Sequence, residues 1–296
     1  MPYDVYLDVS RKSSRVMAHV LDPPGLGIRF EDRQAFEAGV SRALYEHLQW
    51  LASHRFLKAP PVSPEAVAWR LAEEQPIEGD FESGDDVGFY APDAVPLTCD
   101  DIERYLLIAR RSREELVALV RSLPPEAMEW RYDERSRTIR QILRHVANAE
   151  FWYITRLIED PDRAGMPAEL AALDQRMDRS PDPVERLLTV REGLESFFRS
   201  TPLDLLNRIV TPTWFCDVRT ERWTGRKALR RTIEHEREHI RSIRRTLASC
   251  EPAPGASLRI KEAGQHAGSR RPQPRPRRGR HRDAERRVPG PGRARL

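Results

Sequence analysis

Residues 138–153 read Thr-Ile-Arg-Gln-Ile-Leu-Arg-His-Val-Ala-Asn-Ala-Glu-Phe-Trp-Tyr. Thr138 and Gln141 have the spacing of a capping box, in which each side chain satisfies the other's free backbone N–H at a helix start. Ile139, Ile142, Leu143, Val146, Tyr153 and Leu157 then recur on one face at the helical period. The stretch predicts an amphipathic helix from Thr138 to about Ile158, with His145 on the edge of its apolar face beside Ala149 and Trp152.

Three further segments follow the same rule. Thr98 stands three residues before Asp101 and predicts a helix to about Ser122, with Ile102, Tyr105, Leu106, Ala109, Leu116, Val117 and Val120 as its stripe. Asp182-Pro183 places a capping acid before proline at the first helical position of a helix to about Arg199. Thr224 caps a last helix to about Ser249, with Leu229, Ile233, Ile240, Ile243 and Leu247 inward. Four such helices in 98–250 predict a four-helix bundle with long links, the longest over 200–223.

Before the bundle the period changes. Tyr3–Val9 and Arg15–Leu21 alternate with period two, and Gly27–Phe30 is a short third strand. Asp22-Pro23-Pro24-Gly25 is turn chemistry. Glu31 to about Ser53 is a helix with Phe36, Val40, Leu44, Leu48 and Leu51 on one stripe. The fold class expected is α+β: a small β-β-(β)-α module over 1–58, a Pro-rich linker over 59–97 holding one short helix at Glu65–Glu73, the bundle over 98–250, and a disordered basic tail over 251–296.

Charge divides at the same place. The 296 residues carry 50 Lys+Arg and 46 Asp+Glu, a net +4 with pI near 9.1 and mean hydropathy −0.65. Residues 251–296 hold 13 Lys/Arg against 4 Asp/Glu, a net +9, which leaves −5 for residues 1–250. The basic pI therefore predicts nucleic-acid contact only through the tail and only to phosphates, without sequence preference. No apolar run approaches the roughly 18 residues of a membrane span, and no membrane partner is expected. Three widely spaced cysteines, Cys99, Cys216 and Cys250, and a start without a leader pattern predict a cytoplasmic protein with reduced thiols. P-loop, dinucleotide and G-x-S-x-G motifs are absent, so nucleotide and serine-hydrolase chemistry have no support.

Of 8 histidines, the bundle segment contains His145, His235 and His239. His235 and His239 are one turn apart on the last helix, on an edge that matches the edge carrying His145. Three neutral imidazoles on one ion leave an open coordination position, the arrangement of a catalytic rather than a structural zinc site. An i, i+4 histidine pair on so charged a helix is more often a solvated face than a ligand pair. His235-Glu236-Arg237-Glu238-His239 also satisfies H-E-x-x-H, which would make Glu236 the general base of a zinc hydrolase; this is the remotest reading, because third ligands occur only at or beyond the helix end. Trp152 and Cys216 are candidate pocket residues. Glu150 is a candidate hydrogen-bond partner for a ligand histidine.

The segment 138–153 resembles the second helix of the DinB-like four-helix bundles, and Trp223–Leu229 with His235-x-x-x-His239 resembles their last helix. The resemblance implies a metal-binding triad of His145, His235 and His239. It also implies a divalent ion, zinc or nickel first, and a small-molecule substrate or low-molecular-weight thiol, as in the family's thiol-dependent transferases. The N-terminal strands, the Pro24-Gly25 turn and the Ala35-Phe36 helix resemble a HicB-like antitoxin domain, without the Gly-x-Thr usual before that helix. That resemblance implies a non-enzymatic alternative, a regulatory or interaction protein that forms a homodimer or binds a protein partner through residues 1–58.

Overall fold

A computed structural model describes residues 2–81, 87–158, 165–212 and 220–250. Cys216 and the tail expected over 251–296 lie outside them. The chain begins with three strands, β1 (Tyr3–Ser10), β2 (Val16–Val20) and β3 (Leu26–Phe30), followed by helix α1 (Arg33–Ser53). Asp32 caps α1 by accepting from the Ala35 N–H at 2.7 Å. A fourth strand, β4 (Trp69–Ile77), completes a sheet of order β3-β2-β1-β4, with β4 parallel to β1 and the other pairs antiparallel.

β4 corrects the helix expected at Glu65–Glu73. A single 3-10 turn spans Pro64–Ala66, and the chain then runs extended along the free edge of β1, Tyr3 opposite Trp69 and Ser10 opposite Ile77. A ladder of backbone hydrogen bonds outweighs the weak helix propensity of a nine-residue stretch. The segment expected as a linker thus contributes a strand to the N-terminal layer. Trp69 secures it by packing edge-on to Phe36, with centroids 5.4 Å apart, and donating to the Ser41 hydroxyl.

Alternation along the strands sorts side chains to two faces. Val5, Leu7, Val16, Ala18 and Val20 pack on Phe36, Val40, Leu44 and Leu48 of α1. The opposite face carries Tyr6, Asp8, Met17 and His19, and it too is buried.

Seven α-helices lie among the described residues. After α1 come α2 (Cys99–Arg121), α3 (Ile139–Thr155), α4 (Ala168–Arg179), α5 (Pro183–Ser200), the one-turn α6 (Leu203–Leu206) and α7 (Gly225–Cys250). The predicted caps are in place: Thr98 with Asp101, Thr138 with Gln141, and Asp182 before Pro183. Thr224 accepts from the Lys227 N–H at the start of α7 and donates to the Asp93 carbonyl. The four long helices α2, α3, α5 and α7 pack around one apolar core that includes Leu106, Leu116, Leu143, Val146, Leu187, Leu194, Leu229, Ile233 and Ile240. α4 lies against α5, where Leu173 fills the space over Gly193.

α7 is packed by the bundle and by the sheet at once. β3 lies against it, Gly27 beside Glu234, and the Arg241 guanidinium donates to the Gly27 carbonyl. The charged face expected to be solvated is therefore inside: Lys227, Arg230, Arg231, Glu234, Glu236 and Arg237 are all buried. They tolerate burial because they are paired. No helix among the described residues is long and apolar enough to cross a membrane.

Candidate metal centre

α3 and α7 pack side by side, and their matched edges bring His145, His235 and His239 together. His235 Nε2 lies 3.1 Å from His145 Nε2 and 3.1 Å from His239 Nε2. The ring centroids are 4.4–5.0 Å apart and each pair of rings is steeply inclined. Among the described residues this is the group of three or more His, Cys, Asp or Glu side chains whose ligand atoms lie within 4.8 Å of one another.

Hydrogen bonding alone does not satisfy this geometry. A neutral imidazole has one N–H and one lone pair, on different nitrogens. His235 Nε2 can donate to one neighbour or accept from one, so one of its two 3.1 Å contacts is left uncompensated. A cation shared by three lone pairs resolves all of them. Four-coordinate zinc with N ligands at about 2.0–2.1 Å places its donors roughly 3.3 Å apart, close to the spacing here. The donor set fits a divalent metal ion.

Electrostatics keep the lone pairs available. Burial first, then His239 and the Arg137 and Arg29 guanidinium groups, lowers His145 to about 3, and burial sets His239 at about 4, against a partial offset from Glu238. His235 is driven well below the usual histidine range by burial and then by His239 and His145. All three are neutral at neutral pH, the form that ligates. His239 Nδ1 is buried without a hydrogen-bond partner.

Residues 108–243 match the DinB superfamily. The matched segment contains all three histidines and most of the four long helices. Among solved structures, YfiT from Bacillus subtilis, described as a probable metal-dependent hydrolase with an unusual four-helix bundle topology, is 16% identical. It aligns over 55% of this chain and 94% of its own, with a TM-score of 0.38. No curated protein matches.

Within the DinB-like region the other expected site residues separate. Trp152 meets Trp223 at 5.5 Å and Tyr153 at 5.6 Å, both edge-on. Tyr153, read from the sequence as core, is the aromatic ring that reaches His235, at 5.9 Å. Glu150 turns away from the histidines: Arg113 and Arg191 hold its carboxylate in the bundle core. Glu236 joins the same buried group through Arg113 and Arg191. A residue adjacent to His235 on a helix points about 100° away from it, so the H-E-x-x-H spacing does not bring Glu236 to the histidines as a general base. A cavity of about 1150 Å³ lined by Leu170, Leu173, Phe197 and Leu206 touches none of the three.

A layer behind α7 escaped the sequence reading. His19 on β2 has Nε2 3.1 Å from Asp8 Oδ2 and Nδ1 3.1 Å from Glu234 Oε2, with all three side chains fully buried. Carboxylates only accept, so both nitrogens carry protons and His19 is an imidazolium. Burial alone would lower its pKa; Glu234 and Asp8 outweigh that and raise it. Arg230 bridges Asp93 and Glu234, and Arg231 also pairs with Glu234. Three carboxylates thus face three cations only when His19 is charged. The polar face shared by Asp8 and His19 was visible as alternation; that α7 covers it was not.

Proposed function

We propose that this protein binds a divalent metal ion, zinc or nickel first, through the Nε2 atoms of His145, His235 and His239, and uses it for thiol-dependent transfer to a small-molecule substrate. The observation that carries the reading is the convergence of three neutral Nε2 atoms whose mutual contacts hydrogen bonding cannot satisfy. An ion there supplies Lewis acidity, which lowers the pKa of a thiol or water beside it toward neutrality. The protein's own part is to hold three neutral donors on two helices. The buried Tyr153 ring covers His235 on one side, and Trp152 and Trp223 pack against that ring. Three protein ligands are one fewer than a structural zinc site uses, which favours a catalytic role.

The test is metal content and zinc affinity of untagged full-length protein, with His145→Ala and His239→Ala beside it. Stoichiometric zinc or nickel in the wild type, and at least a 100-fold weaker affinity in either variant, is expected. Equal, weak binding by all three overturns the site. Consumption of low-molecular-weight thiols by the metal-loaded protein then tests the transfer chemistry separately: tight metal binding without thiol turnover removes the transferase and keeps the metal site.

A further inference from the structure

The histidine cluster is least covered where His145 and Glu238 stand. His145 is half-buried, whereas His235 and His239 are buried. On α7 every residue from Lys227 to Arg237 is buried, and exposure begins at Glu238. Four charged side chains gather at this side. Arg29, exposed on β3, pairs with Glu238 and donates to the Phe81 carbonyl at 2.9 Å. Arg241, one turn beyond Glu238, donates to the Gly27 carbonyl and has no carboxylate partner among the described residues. Arg137 lies exposed just before the Thr138 cap of α3 and makes no hydrogen bond or ion pair with any described residue.

These charges do not cancel. Three guanidinium groups stand against one carboxylate, and the imidazoles between them are neutral. The charges reach the cluster: after burial, which acts first, Arg29 lowers the pKa of all three histidines, Arg137 that of His145 and His239, and Arg241 that of His239. Glu238 opposes them at His239. The carboxylates deeper in the fold are already engaged, Glu234 by His19, Arg230 and Arg231, and Glu150 and Glu236 by Arg113 and Arg191. A divalent ion on three neutral ligands would add 2+ to a side that is positive without it. Such a field concentrates anions and repels cations.

Of the three guanidinium groups, Arg137 is the one the fold leaves unengaged. It is exposed, so a ligand reaches it without opening the core. Its planar fork of donors matches the paired oxygens of a carboxylate or a phosphate. We propose that the small-molecule substrate of this site carries an anionic oxygen group, a carboxylate or a phosphate, and that Arg137 binds that group at the open side of the histidine cluster. The identity of the ligand as substrate rests on the metal reading; the anion site itself is present without the ion.

The probes are propionate and methyl phosphate, with neutral propionamide as control, titrated calorimetrically into untagged full-length protein in zinc-loaded and metal-free forms. Arg137→Gln removes the unengaged guanidinium. Nothing in the fold pairs with it, so the urea midpoint of the variant should match wild type. Glu238→Gln removes the one carboxylate at this side and should act in the opposite direction. At least one anion is expected to bind wild type more tightly than propionamide, and the tighter of the two identifies carboxylate or phosphate. That anion should bind Arg137→Gln about 5-fold more weakly, the upper end for an exposed ion pair, and Glu238→Gln more tightly. The gap between wild type and Arg137→Gln should shrink in high salt, and zinc affinity should not fall in Arg137→Gln. Equal anion affinity in wild type and Arg137→Gln would put the anion on the ion alone and overturn the site. So would propionamide binding as tightly as both anions, no anion binding to either form, or weaker anion binding by Glu238→Gln. If zinc itself does not bind, the metal reading fails on that titration, and the metal-free series still decides the Arg137 site by the same 5-fold loss. Should Glu238→Gln not fold, the comparison of wild type with Arg137→Gln remains decisive.

Discussion

Replacing His19 by glutamine removes the one cation that Asp8 contacts among the described residues. The Asp8 carboxylate keeps the Tyr90 hydroxyl at 2.6 Å and the Gly88 N–H at 2.9 Å, both neutral donors, whereas Glu234 keeps Arg230 and Arg231. Burial pushes Asp8 up; the hydrogen bond and charge of His19, with help from Tyr90 and Gly88, hold it below the usual carboxylate value. The cost of His19→Gln therefore falls mainly on Asp8. Removing one partner of a buried pair costs about 3–5 kcal/mol, and the remaining neutral donors argue for the lower end. About 3 kcal/mol corresponds to a fall in Tm of roughly 6–12 °C for a folded region of this size. Asp8→Asn in the His19→Gln background removes the stranded charge and should recover part of the loss, which a double-mutant cycle by urea denaturation measures. The pH dependence has a definite sign. The His19 pKa is raised above its unfolded value near 6.5, so its contribution is fully present below that pH and is lost as pH rises through the folded value. The stability gap between wild type and His19→Gln should be widest near pH 6 and narrow on the alkaline side. A loss under about 1 kcal/mol at pH 6, or a gap that widens with pH, would refute an imidazolium at this position.

Glu236→Gln separates the triad from the zinc-hydrolase spacing: it should lower stability by about 3 kcal/mol because Arg113 and Arg191 lose a buried charge partner, while zinc affinity, read by calorimetry, stays within about 3-fold. A large loss of zinc affinity at full stability would put Glu236 at the ion instead. Gly88→Ala would drive a Cβ into Asp8 Oδ1 and the Gln75 amide, and a urea midpoint lowered by the equivalent of about 3 kcal/mol is expected, at the upper end of overpacking costs. A near-neutral effect would show that the loop carrying Gly88 does not hold Asp8.

The bundle helices were legible because each carries local signals that agree with its packing. Thr138 with Gln141, Thr98 with Asp101, and Asp182 before Pro183 mark starts that the fold preserves, and the apolar stripes between them become one core. The three histidines were legible for the same reason: a helical wheel fixes which edge a residue occupies, and α3 packs beside α7. β4 was not legible, since Trp69–Ile77 becomes a strand through the open edge of β1, a partner more than sixty residues earlier in the chain. Nor was the fate of Glu150, whose place on α3 allows either a histidine or the Arg113–Arg191 pair as neighbour until α2 and α5 are docked.

The sequence by itself determined α1 and the four long bundle helices, the change of period from two to 3.6 between the N-terminal strands and the bundle, and the three imidazoles on matching edges. These follow from local spacing and local capping. Only the tertiary structure decided which charged residues of α7 face solvent. It laid the sheet's polar face over them and paired His19 with Glu234 across 215 positions of sequence. The physical reason is that burial of a charge depends on partners from distant segments, and no periodicity within one segment records them.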